Sequence, residues 1–174
     1  LNLENNNIIF VEDTGVVHFH NNVVMNNNMG AEINILSNGG FLENTSDDVS
    51  LNNSGTVKKL TVSGGDGGPF YLIFNINNFG SIEIGENQTF LILVGSQNFI
   101  NTEDGILTGT GAFDITSNFT NSGKISPGND TTVGTLEMVN NVNLTNPGTL
   151  KIDINGPLQN DTIEIFGTPS LQGN

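Results

Sequence analysis

His18 and His20 alternate with Val17 and Phe19. In an extended chain that alternation sends both imidazoles to one face, at a spacing two ligands of a divalent metal can use. Two histidines leave a four-coordinate site half built, and the chain has no cysteine to complete it. Asp47-Asp48, Glu12-Asp13 and Glu103-Asp104 are adjacent acid pairs of the oxygen-rich kind that holds Ca2+. Neither the EF-hand pattern nor the Gly-Gly-x-Gly-x-Asp nonapeptide surrounds them. The expectation is therefore exposed strand histidines and solvated turn acids, no resident cofactor, and Ca2+ as the ion that the acid pairs would suit.

Composition narrows the partners. Lys and Arg together number 4 against 18 Asp and Glu, for a formal net charge of −14. Four bases cannot build the stripe that neutralises phosphates, and an anionic membrane surface repels such a chain, so neither nucleic acid nor direct membrane insertion is expected. A hydrophobic share of 35% with 22 glycines suits a folded chain of one domain rather than a disordered one. The absence of cysteine fits an exported bacterial protein held together by hydrogen bonds rather than disulfides. Asn accounts for 30 of the 174 residues, a bias toward turns and side-chain amide ladders over helices.

The elements that must position these side chains are strands. No window carries apolar residues at helical spacing, whereas Val17-His18-Phe19-His20, Glu32-Ile33-Asn34-Ile35, Ser81-Ile82-Glu83-Ile84, Leu150-Lys151-Ile152-Asp153-Ile154 and Thr162-Ile163-Glu164-Ile165 alternate. Phe70 to Ile76, apolar but for Asn75, and Phe90 to Val94 are apolar runs, which suits strands covered on both faces, or strands covered by a neighbouring loop or chain. The phenylalanines, 11 in number, are expected to fill the core as stacked rings.

A repeat organises the strands. Asn-x-Gly-x-aliphatic occurs from Asn53 through Gly55, from Asn78 through Gly80, from Asn121 through Gly123 and from Asn146 through Gly148. Looser copies centre on Gly15, Gly40 and Gly105. The glycines at 55, 80 and 105 are 25 apart, as are 15 and 40, and 123 and 148; the intervals 40 to 55 and 105 to 123 are shorter. A coil that must turn at one corner to stack on the last needs such a period, which predicts an all-β right-handed parallel β-helix with coils of about 25 residues, spanning 1–174 as one segment. In that reading the glycine supplies a positive-φ corner, the asparagine stacks on its equivalent in the next coil, and the two short intervals mark trimmed corners or smaller coils. An antiparallel β-sandwich is the alternative, though it does not require the period.

The C-terminal third carries a resemblance. Ile125-Ser126-Pro127-Gly128-Asn129, then Gly134-Thr135-Leu136-Glu137-Met138, Asn143-Leu144-Thr145 with Gly148 to Ile154, and Asp161 to Gly167 follow one another in the order of the passenger-associated repeat of autotransporter adhesins. The match covers about residues 121–174; residues 1–120 are similar in texture and period only. The resemblance implies a right-handed parallel β-helix stalk on the bacterial outer surface, with roles in adhesion, aggregation or display. It departs from such proteins in carrying no membrane barrel.

The reading that follows is a non-catalytic structural or adhesive stalk segment of a secreted or cell-surface protein, a fragment of something longer whose flanking residues continue the coil. It would contact another copy of itself, a host or bacterial surface, or a glycan. The alternatives are a tailspike-like glycan-cleaving enzyme and a carbohydrate-binding module. Cleaving enzymes of this architecture gather carboxylates, or a lysine or arginine base, on one outward face. The four bases Lys58, Lys59, Lys124 and Lys151 are too few and scattered for the lyase version, and no residue is assigned as catalytic.

Overall fold

Asn5, Asn27, Asn53, Asn78, Asn101 and Asn121 end the six strands of one parallel sheet, and their common place explains most of the architecture. The computed structural model describes the chain except residues 13–15, 21, 37, 44–47, 62–67, 93–97, 117, 130–131, 141, 146–147, 155–158, 168–169 and 173–174. Its strands wind into a parallel β-solenoid of about five turns at about 24 residues per turn, with no helix among the described residues.

Each turn contributes one short strand to each of three sheets. The first sheet runs from Asn2–Asn5 through Val24–Asn27, Ser50–Asn53, Asn75–Asn78 and Asn98–Asn101 to Asn118–Asn121. The second has seven strands, Ile8–Val11 to Thr149–Leu150, and the third has seven, Val16–Phe19 to Thr162–Phe166. A further pair joins Asn143–Thr145 to Ser170–Gln172. Every ladder among the described strands is parallel, and the antiparallel contacts are two isolated bridges, Gly109 with Gly128 and Ile154 with Asn160. That pairing excludes the sandwich alternative.

The core is built by alternation. Inward residues of the second sheet, Ile33, Val57, Ile82, Leu107 and Ile125, lie in register one above another and are 2% exposed or less. On the third sheet Phe70 meets Phe90 edge to face and Phe90 stacks on Phe113, with ring centres 6.2 and 6.1 Å apart, so the expected stacking of rings holds for the second pair and not the first. Burial of a side chain of this size is worth about 1.5–3 kcal/mol. No single coil encloses it; the coils above and below do.

Several sequence expectations are corrected. The apolar run from Phe70 to Ile76 is not one doubly covered strand but two strands, Pro69–Ile73 and Asn75–Asn78, meeting at a corner where Phe74 turns inward. The alternation from Leu150 to Ile154 continues as strand only to Leu150, and Ile154 is exposed. Three of the phenylalanines, Phe10, Phe79 and Phe166, are exposed rather than in the core.

The glycine corners also divide. Gly55, Gly80, Gly105 and Gly123 stand between the first and second sheets, and Gly148 between the strand Asn143–Thr145 of the further pair and the second sheet. Gly40 opens a strand of the third sheet and pairs with Val16, so it belongs to a different corner; Gly15 lies outside the described residues. The 40-to-55 interval therefore measures part of one coil, whereas 105 to 123 is a genuinely short coil, with Ile106 in register with Lys124. That coil joins Ile106–Gly109 to Ala112–Ile115 through two residues, Thr110 and Gly111. Positive φ is found at Gly30, Gly109, Gly128 and Gly167, not at the corner glycines. The corner needs glycine for a steric reason: a Cβ on Gly80 would lie 2.1 Å from Gly55 O, and one on Gly123 2.2 Å from Gly105 O.

Candidate functional site

Two rows of asparagine run along the first sheet, one inside the coil and one outside. In the inner row Asn5, Asn27, Asn53, Asn78 and Asn101 each donate Nδ2 to the Oδ1 of the next asparagine, ending at Asn121, and every one of these bonds is 2.7 Å. The second amide hydrogen goes to backbone carbonyls of the adjoining corner and strand, such as Thr56 O from Asn27 and Ser81 O from Asn53. A side-chain amide has two donors and an acceptor to satisfy when buried, and a stack of identical amides satisfies them all. Asn146, expected to extend the row, lies outside the described residues.

Sequence reasoning found Asn53, Asn78 and Asn121 through their Asn-x-Gly spelling and missed Asn5, Asn27 and Asn101. Asn101 precedes a longer corner, Thr102-Glu103-Asp104-Gly105, as Asn27 precedes Asn28-Met29-Gly30-Ala31. The usable signal is an asparagine closing a short strand, whatever the number of residues before the next one.

The outer row carries chemistry that remains accessible. Asn26, Asn52 and Asn77 occupy outward positions in register, and each donates Nδ2 toward the N-terminal end: Asn77 to Asn52 Oδ1 at 2.9 Å, Asn52 to Asn26 Oδ1 at 2.9 Å, Asn26 to Glu4 Oε1 at 2.7 Å. The inner row donates the opposite way. Glu4 fixes the outer direction, because an ionised carboxylate only accepts. The amides of Asn26 and then Asn28 hold its pKa below the usual glutamate range.

At the other end, Asn77 is followed in register by Ile100, whose side chain carries no amide, so the row ends at Asn77. Two residues along the chain from Asn77, in the bend that follows the strand's last residue Asn78, stands Phe79, 46% exposed. The next coil's corner stacks beneath it, with the Thr102 N–H donating to Asn78 O at 3.0 Å. That corner carries Glu103 and Asp104, both exposed.

The other sequence candidates do not assemble. His18 and His20 are both exposed, with ring centres 6.2 Å apart. No group of three or more His, Cys, Asp or Glu is gathered among the described residues. Asp48 is exposed and Asp47 lies outside the described residues. Of the bases, Lys58 pairs with Glu32 at 3.6 Å and Lys151 with Asp153 at 2.9 Å. Lys59 is a finding the sequence did not signal: it takes an inward position between Ile35 and Ile84, is 1% exposed, and donates to Asn38 Oδ1 at 3.5 Å. Its desolvation pushes the pKa below the usual lysine range.

The motif residues of the C-terminal third have structural work. Ser126 and Pro127 end the strand Lys124–Pro127, and the chain turns after them, with Gly128 at φ +69°, Gly128 and Gly109 exchanging both backbone hydrogen bonds, and Asn129 Oδ1 accepting from Thr132 N–H. Asp161, buried, accepts from the backbone N–H of Gly134 and of Asp153, each at 2.9 Å, and so ties two corners together. Compared with models of protein families, with curated proteins and with solved structures, the chain matches none of them.

Proposed function

We propose that the chain is a non-catalytic structural and adhesive stalk segment of a secreted or cell-surface bacterial protein, attaching to a second surface, a glycan or further copies of itself. The observation that carries this reading is the inner asparagine row, which spans all six strands of the first sheet and spends the chain's commonest polar side chain on holding coil to coil. A stack stabilised by nearest-neighbour contacts suits a rod. The similarity of residues 121–174 to the passenger-associated repeat of autotransporter adhesins supports the same reading.

Incubating the purified chain with bacterial and host glycans, with binding, self-association and product release recorded together, tests it. Binding or self-association without cleavage is expected. Release of oligosaccharides would overturn the non-catalytic reading and direct attention to outward acids.

A further inference from the structure

We propose that Phe79, Asn77 and Asn52 form a binding site for an uncharged glycan on the outward side of the first sheet, an assignment that deepens the adhesive reading above and rests on it. Three features converge. First, Phe79 is 46% exposed although most phenylalanines of the chain are buried. A phenyl face carries negative charge and the ring hydrogens of a sugar carry partial positive charge, so a pyranose packs flat on it.

Second, the strand that leads into Phe79's bend carries outward amides, a group suited to hydroxyls because each offers both donor and acceptor, as a hydroxyl does. Asn77 ends its row opposite Ile100, and its half-exposed amide faces a side chain without an amide of its own. The chain of donation from Asn77 through Asn52 and Asn26 to Glu4 holds these amides in fixed orientations, so a ligand need not order them. Coils lie about 4.8 Å apart, which sets Asn52 and Asn77 at a separation that neighbouring hydroxyls of one polymer can span.

Third, charge selects the class. The bases Lys58, Lys59, Lys124 and Lys151 all lie away from the first sheet's strands, while Glu103 and Asp104 are exposed at the corner beneath Phe79. An acidic polymer is repelled there. A cationic polymer would be drawn to those same acids rather than to the uncharged ring and amides, and the chitosan comparator separates the two.

The test measures binding of the full chain to soluble mannan and dextran, with alginate and chitosan as charged comparators and sedimentation run alongside. Wild type is expected to bind an uncharged polymer; Phe79→Ser and Asn77→Ala should each weaken it about threefold to tenfold. Phe10→Ser, which removes an exposed phenylalanine from another face, should change nothing. Binding that survives both first-sheet substitutions, or that prefers alginate or chitosan, overturns the site and leaves the adhesive reading standing. Self-association without polymer binding does the same. Absence of both overturns the site and the adhesive reading together.

Discussion

Asn53 gives its side-chain amide to Asn78 at 2.7 Å inside the coil, while one residue earlier Asn52 gives its amide to Asn26 outside it, in the opposite direction along the stack. The two rows differ in what a break costs. Asn78 accepts from Asn53 and donates to Asn101 Oδ1 and Ile106 O, all within the buried corner. Asn78→Ala strands these partners, and each buried polar group left unmet costs about 1–3 kcal/mol. The expected loss is about 3 kcal/mol or more by urea unfolding, against about 1 kcal/mol or less for Asn52→Ala on the half-exposed outer row. Equal losses would mean that the inner row contributes no more than a surface hydrogen bond.

The corner glycines and the positive-φ glycines should respond oppositely to asparagine. Gly30 has φ +81° and open space where a Cβ would go, and asparagine is the residue that best tolerates that backbone. Gly30→Asn should cost about 0.5 kcal/mol and Gly30→Ala about 1 kcal/mol. At Gly80 the obstacle is the Gly55 carbonyl, so Gly80→Asn and Gly80→Ala should both cost about 2 kcal/mol or more, with no relief from asparagine. Thermal unfolding of the four variants decides between the steric and the conformational explanation.

The period was legible because each coil must repeat the same corner to stack, and Asn-x-Gly survives in three described corners, at 53 and 78, which are 25 apart, and at 121, two coils further on. Loop length was not legible. The inner row tolerates intervals from 20 to 26 residues because insertions bulge from corners without disturbing the strand that ends in asparagine. Gly40 and Gly55 share a spelling yet serve different corners, since any tight junction between sheets favours a small residue beside an inward aliphatic. Hydrophobicity alone points Phe79 to the core because it cannot distinguish an inward from an outward position; its place after buried Asn78 does.

Phe113 offers a test of how far the core acts as one stack. It is fully buried between Phe90, whose ring centre is 6.1 Å away, and Met138 in the next coil. Phe113→Ala should cost about 3–5 kcal/mol. Because both neighbouring coils lose packing, hydrogen exchange should accelerate in Thr89–Ile92 and Thr135–Asn140 as well as in the substituted strand. Acceleration confined to Ala112–Ile115 would show that the coils open independently.

Lys59 links stability to alkaline pH. Burial favours its neutral form, so the folded pKa lies below the value in the unfolded chain. Between those two values the unfolded chain binds more protons than the folded one, and stability rises with pH. Below the folded pKa the cost of holding the ammonium inside is present in full; above the unfolded pKa it is gone. Lys59→Met keeps the length of the side chain at a position flanked in register by Ile35 and Ile84 and removes the charge. The variant should be at least as stable as wild type at neutral pH, and the stability difference between the two should shrink as pH rises toward the lysine range. A pH-independent difference, followed by urea unfolding from pH 7 to 10, would mean that the Lys59 ammonium is fully compensated by its neighbours, Asn38 among them.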